Sequence, residues 1–317
     1  MIAIARLTWR LSRFEIIALA IASSLVTVAA IFLAWQLRSS VPSDQCRALI
    51  SSGYGPSDLA RCPGLEQFMS LNSTGGLILV AASVLPFVAG ALFGSQLIAR
   101  DVDYRSAQLA WWLSTSRFRW LVERVVPLGL LTIVLLVPSA VATTMLESAK
   151  NPNLDIWRSF IDFGLWGPLF ITGAVAALAV GMLAGSLLGS VLPSLLVSVV
   201  AAALLYLALP NIAILPQPPT VYESGKPLAL GSISVSTGWR DVNGTILSFR
   251  EAAAKAPAGL DPGALYDWVG GHYRAVGLAI AGDRAPIATL TAAGLAGAVA
   301  LLAFGATALV VERRRPY

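Results

Sequence analysis

The sequence predicts an all-α polytopic membrane protein with six transmembrane helices. Three observations carry that reading. Only 12% of the 317 residues are charged and 56% are hydrophobic, with a mean hydropathy of +0.74. A soluble domain carries roughly a quarter charged residues, so this chain cannot cover a water-facing surface. Several apolar runs also reach the roughly 20 residues that cross a bilayer. Finally, the basic residues sit at the ends of those runs. The net charge of +5 therefore reads as membrane orientation and excludes a nucleic-acid footprint.

Residues 1–14 carry Arg6, Arg10 and Arg13 among Leu7, Trp9 and Leu11. They read as a cytoplasmic amphipathic helix with Trp9 and Arg10 as interface anchors, or as a plain basic flank of the first span. The apolar run that follows is too long for a signal-peptide core, and no small-x-small site precedes Arg38, so the first span is expected to stay. That span is 15–37, with Glu15 at its edge. A charge deep in lipid costs about 2.5–3.5 kcal/mol, which keeps Glu15 at the interface or against another helix.

Residues 38–74 form a polar outer loop holding the only two cysteines, Cys46 and Cys62. Two cysteines in one loop, opposite the basic flanks, predict a disulfide; two free thiols are the alternative. The second span, 75–98, carries Pro86, Gly90 and Gly94 and reads as a bent, closely packed helix. A charged cytoplasmic segment, 99–124, leads to the third span, 125–146, and a short outer loop, 147–162.

Residues 163–214 contain no charged side chain and are too long for one crossing. The break at Leu188-Gly189-Ser190-Val191-Leu192-Pro193 divides them into spans at 163–188 and 191–214. Gly173, Gly181, Gly185 and Gly189 recur at four- or eight-residue steps, which offers one face for close approach of another helix. Residues 215–285 form an outer subdomain. Ile233 to Ser236 alternates like a strand. Trp239 to Gly244 reads as a turn, and 247–256 and 262–276 as helices, the second capped by Asp261 with Pro262 at its first position. The sixth span is 286–311, and 312–317 is a basic cytoplasmic tail.

Six spans put both ends on one side. The two flanks and the 100–124 segment hold half of the 22 Lys and Arg, so the positive-inside rule makes that side cytoplasmic. The cysteine loop then falls outside, in an oxidising compartment.

Chemistry of its own is missing from the sequence. Gly225-Lys226 lacks the upstream glycine of a phosphate loop, and no H-E-x-x-H or G-x-S-x-G occurs. No metal or catalytic residue is expected, and no cofactor in this chain. The spans lack the paired carboxylates an ion-coupled transporter uses, so energy must come from another protein.

Leu97-Ile98-Ala99-Arg100-Asp101, Gln108-Leu109-Ala110-Trp111, Ser114-Thr115-Ser116-Arg117 and Trp120-Leu121 resemble the segment after the second span of ABC-2 type transporter permeases, above all the six-span actinobacterial branch. Leu7-Thr8-Trp9-Arg10 and Ser236 to Gly244 resemble further segments of the same family, and the span count agrees along the whole chain. Asp101 stands where the family pattern has Glu, and Arg105-Ser106 replaces its Gly-Thr. The resemblance implies the membrane subunit of an ABC exporter. Two ATP-binding subunits, holding ATP and Mg, and a second permease, identical or not, would be its partners, within membrane lipids. It makes 99–124 the coupling segment, with Asp101, Asp103, Arg105, Ser106, Leu109, Trp112 and Leu113 facing the ATPase. Arg117, Trp120 and Arg124 would then be interface anchors at lipid phosphates. The expected cargo is a hydrophobic or amphiphilic small molecule, lipid or peptide. The alternatives are an ABC-type assembly that remodels its outer loops or a partner without transport, and a membrane enzyme acting on lipid.

Overall fold

The computed structural model describes residues 2–43, 46, 62–103, 116–223 and 228–313, with backbone alone for residues 2–12. The chain divides into two compact units: a helical unit of residues 1–152, 162–213 and 289–317, and a second of residues 153–161 and 214–288.

The long helices are α1 (Ile2–Ser39), α2 (Leu65–Asp103), α3 (Arg117–Lys150), α4 (Pro168–Leu188) and α5 (Val191–Ile214). Two short helices, α6 (Phe249–Ala253) and α7 (Pro262–His272), precede the last long one, α8 (Ala285–Arg313). Six of them are long and apolar enough to cross a bilayer. The first is continuous from Ile2, with no break at Phe14. At 1.5 Å per residue, the 39-residue α2 is roughly 58 Å long, against a hydrocarbon core of about 30 Å. Both α2 and α3 therefore extend past the expected spans at both ends, long enough to carry their charged turns beyond the hydrocarbon. Helix α4 ends at Gly189, which adopts a left-handed φ of 66° and donates its N–H to the Gly185 carbonyl.

The closest packing joins α2 to α4. A Cβ on Gly94 would run into the Leu178 carbonyl oxygen, and one on Gly90 into that of Ala174. From the other side, a Cβ on Gly185 would lie 2.6 Å from the Ser95 carbonyl oxygen, and one on Gly181 2.9 Å from the Ser95 nitrogen. Gly173 makes room for the Phe87 ring. The two backbones touch because these side chains are absent. Lipid tails give helices no hydrophobic reason to associate, so such close contact carries the packing.

Helix α1 meets α3 through hydroxyls. Ser23 Oγ and Ser139 Oγ lie 2.8 Å apart, Ser139 Oγ donates to the Ser23 carbonyl at 3.0 Å, and Ser23 Oγ donates to the Leu135 carbonyl. Thr27 Oγ1 sits 3.1 Å from Ser139 Oγ. Beside them Ala30, Leu33, Leu37, Leu79, Ala142 and Leu146 form one buried cluster. Helix α5 is tied to α2 by Ser83 Oγ and Tyr206 Oη at 3.0 Å and by the Phe87–Tyr206 ring contact. Cys46 and Cys62 are disulfide-bonded, with Cα atoms 5.7 Å apart, and are buried with Leu65 at the start of α2.

The second unit is built on a four-stranded antiparallel sheet of order β1-β4-β2-β3, with β1 Thr220–Glu223, β2 Ile233–Arg240, β3 Ile246–Leu247 and β4 Arg274–Ile280. The helix expected over 262–276 stops at His272, and Arg274 onward is β4. Gly270-Gly271 weakens the helix end, and the strand's ladders to β1 and β2 then bury Val276, Ala279 and Ile280. The expected turn is narrower: Trp239 and Arg240 belong to β2, and Gly244 takes a φ of 84°. Trp239, Phe249 and Tyr266 pack ring to ring and fasten α6 and α7 to β2. Phe160 N–H donates to the Gly231 carbonyl at 2.8 Å, which attaches the 153–161 segment.

Helix α6 starts with a capping box. Ser248 N–H and Oγ both donate to Glu251 Oε2 at 2.8 Å, which holds the Glu251 carboxyl below its ordinary range. A lowered folded-state pKa means this contribution is present at neutral pH and is lost as pH falls through the lowered value.

The α2–α4 contact gives a direct expectation. Gly94→Val forces the two backbones apart and destabilises the protein by about 1–3 kcal/mol or more. Gly129→Ala, which meets open space, changes little. Thermal unfolding of both variants in the same detergent checks the difference; equal midpoints would refute the close-contact account.

Candidate functional site

Two clusters of charged residues in the helical unit lie at the two ends of α3. At its N-terminal end, Ser116 caps the helix, accepting from the Arg119 N–H at 3.1 Å. Arg117 Nη1 donates to the carbonyls of Glu312 at 2.9 Å and Val311 at 3.3 Å. A cation at the last turn of α8 satisfies carbonyls that have no helical partner and faces the negative end of the helix dipole. Arg119 pairs with Glu123 one turn on, at 3.0 Å.

Arg124 forms an ion pair with Asp101, two residues before the end of α2, and its guanidinium stands 5.2 Å from the Trp120 ring centroid. Both side chains are about nine-tenths buried, at 8% exposure for Asp101 and 12% for Arg124. The pair joins the last turn of α2 to the second turn of α3, so it closes the base of the 104–115 segment between them. Trp120 and Leu121 are buried with Ile98 in the largest apolar cluster. A second link runs from Arg100 to Glu15 on α1, at 3.8 Å.

Of the residues singled out from sequence, Asp101 and Arg124 lie against each other, and Trp120 is buried with 6% exposure. Asp103 is exposed at the last position of α2. Arg105, Ser106, Leu109, Trp112 and Leu113 lie outside the described residues, as do the side chains of Trp9 and Arg10.

The other end of α3 holds a polar cluster that sequence reasoning missed. Lys150 Nζ contacts Glu147 Oε2 at 3.3 Å and also pairs with Asp162, while Asn151 Nδ2 donates to Glu147 Oε1 at 2.6 Å. Glu147 is 1% exposed and Lys150 7%. The Lys150 stem lies over Gly75, where a Cβ would come within 3.2 Å of its Cδ. These residues had the look of a loop of mixed charge. The available signal was the Glu147–Lys150 spacing of three, which puts both on one helix face.

Between α1 and α2 lies a cavity of about 450 Å³, apolar along most of its length, with Glu15 and Gln96 at one end. A second crevice of about 300 Å³ is almost entirely apolar, walled by α3, α4 and α8 around Gly129, Met182 and Phe304. No group of metal-binding side chains occurs among the described residues.

Six apolar helices, two of them in close glycine contact, define a multi-pass membrane protein. The family model "ABC-2 membrane transporter related" matches residues 20–213, and the chain belongs to that family. No curated protein and no solved structure matches it. The matched stretch runs from within α1 to the last turn of α5, so most of the second unit and α8 lie beyond it. Membership makes the chain the membrane subunit of an ABC-type transporter, a class that associates with ATPase subunits and dimerises.

Removing one partner of a buried ion pair costs about 3–5 kcal/mol, because the other charge stays buried. Asp101→Asn and Arg124→Gln are each expected to destabilise the protein on this scale, and the double variant by clearly less than their sum. A thermal-unfolding cycle reads the coupling; simple additivity would remove the pair from the account. Lys150→Met leaves Glu147 and Asp162 facing each other without a cation and is expected to cost a similar amount. Restoration by Lys150→Arg in the same measurement would show that the charge is what matters.

Proposed function

We propose that this chain is the permease subunit of an ATP-driven exporter of a hydrophobic or amphiphilic molecule. Two cytoplasmic ATPase subunits, carrying ATP and Mg, drive a pair of permeases, and force enters through the segment between α2 and α3. The Asp101–Arg124 pair supports this reading most directly. A segment that passes force to helices needs both of its ends fixed to them. The pair does that in the last turn of α2 and the second turn of α3, and Arg117 adds a hold on the end of α8. A push on 104–115 is then delivered to α2, α3 and α8 together instead of being absorbed by fraying of the helix ends.

The arginines at residues 100, 105, 117, 119 and 124 and on the two flanks support cytoplasmic termini, and the family resemblance supports a bacterial plasma membrane. The apolar cavity walls support an apolar or amphiphilic cargo. The compactness of the second unit favours one other reading, in which hydrolysis remodels that unit or a partner bound to it.

Co-expression with the cognate ATPase separates these. The permease is expected to retain the ATPase through purification, and Asp103→Lys with Arg105→Glu to abolish permease-dependent stimulation of ATP hydrolysis while the helical unit unfolds at the wild-type temperature. Unchanged stimulation would overturn the coupling role of the segment. Stimulated hydrolysis with no movement of amphiphile across a proteoliposome membrane would favour remodelling.

A further inference from the structure

The cavity between α1 and α2 is polar at one end only. Glu15 and Gln96 mark that end. From there α1 presents Ala18, Leu19 and Ala22, and α2 presents Phe93, Ala89 and Leu85. Leu85 and Gln96 are eleven residues apart on one helix, so the apolar wall runs roughly 16 Å from the polar end. The volume of about 450 Å³ lies within the range of small-molecule sites, roughly 300–1,000 Å³.

Glu15 supplies the independent observation. Its Oε1 is 3.8 Å from Arg100 Nη1. Its Oε2 is buried and accepts no hydrogen bond among the described residues. A carboxylate can accept on both oxygens, and a buried acceptor left without a donor carries the full cost of its desolvation. Among the described residues nothing offsets that cost. Helix packing does not need a carboxylate here, since the remaining walls are apolar. A ligand that brings its own donor would remove the penalty, and an ammonium group does so with three N–H bonds and a complementary charge. Gln96 can accept a second of those bonds through its amide oxygen.

We propose that this groove binds an amphiphile with an amine headgroup, its ammonium on Glu15 and Gln96 and its tail along the Ala18–Ala22 and Leu85–Phe93 walls. The amine can come from a bilayer aminophospholipid or from a free single-tailed amine; the recognition chemistry is the same. This sharpens the amphiphile of the exporter reading, and it is testable without the ATPase, so either can fail alone.

The test is equilibrium binding of radiolabelled dodecylamine to the full chain in phosphatidylcholine nanodiscs, with empty nanodiscs subtracted. Dodecanol, which has the same tail and no charge, is the comparison ligand. Saturable dodecylamine binding is expected, about tenfold or more tighter than dodecanol, the scale of a charge-assisted hydrogen bond. Glu15→Gln should remove most of that preference, and Glu66→Gln, at the other end of α2, should not. Ala22→Phe keeps the carboxylate and fills the groove, so it should weaken both ligands and covers the case in which Glu15→Gln fails to fold. Equal binding of amine and alcohol, or wild-type amine binding by both Glu15→Gln and Ala22→Phe, overturns the proposal. Replacing part of the phosphatidylcholine with phosphatidylethanolamine distinguishes the sources. Displacement of dodecylamine assigns the site to the bilayer lipid; undiminished binding assigns it to the free amine.

Discussion

Helices surrounded by lipid gain nothing by hiding apolar surface from one another, because the lipid is equally apolar. What remains is dispersion between closely fitted atoms, a few hydrogen bonds, and charge at the ends. The α2–α4 contact is made under that constraint. Gly90 and Gly94 on one helix and Gly173, Gly181 and Gly185 on the other leave no room for a single added carbon. Backbone meets backbone over several turns, and the largest apolar cluster is assembled around the pair, with Phe93, Ile98, Ala174, Leu178 and Met182 at its centre. The remaining helices are placed against this pair or against α3.

Charge obeys the same constraint. A buried ion in hydrocarbon is costly, so the ionic groups of α3 stand at its extremities, Arg124 with Asp101 near one end and Glu147 with Lys150 and Asp162 near the other. Between them α3 uses only hydroxyls, and these stay with their own backbone or bridge to α1. A bridging hydroxyl in lipid contributes about 1 kcal/mol, enough to fix which faces meet and little more. The helix is thus pinned ionically where water is near and positioned by weak bonds where it is not. Such an element can transmit displacement along its axis without needing a charge to move through lipid.

Much of this was legible in the sequence, for identifiable reasons. Span number followed from run length and charge placement, and the glycine steps of α4 announced a close neighbour without naming it as α2. The disulfide was readable because Cys46 and Cys62 share one loop. The partner of Asp101 was not readable. Nothing local marks Arg124, across the intervening segment, as its counter-ion, and both fit an outward-facing pattern equally well. Glu147 and Lys150 failed differently: a loop assignment hid their helical spacing. In the second unit, β4 was lost because Arg274 to Ile280 follows a helix with no proline or turn residue other than Gly270-Gly271. Its strand character comes from two ladders to residues far away in sequence.

The helices are not equally committed to the bundle. In the most apolar windows of α4 and α2, 61% and 50% of residues are buried, against 17% for α5. Sliding α4 along α2 would drive Cβ and carbonyl atoms past glycine positions that admit neither, so those two helices behave as one body. Helix α5 is held to α2 by one hydroxyl pair, Ser83–Tyr206, by the edge of the Phe87 ring, and by small apolar contacts at Ala202 and Leu209. Each can be broken and remade without leaving a charge or a backbone group unpaired, because Ser83 also donates to the Val80 carbonyl of its own helix. A force delivered to the α2–α3 base would therefore move α2 and α4 together, with α5 and its neighbours taking up the difference. The unequal packing of the helices already sets the direction in which the helical unit can yield.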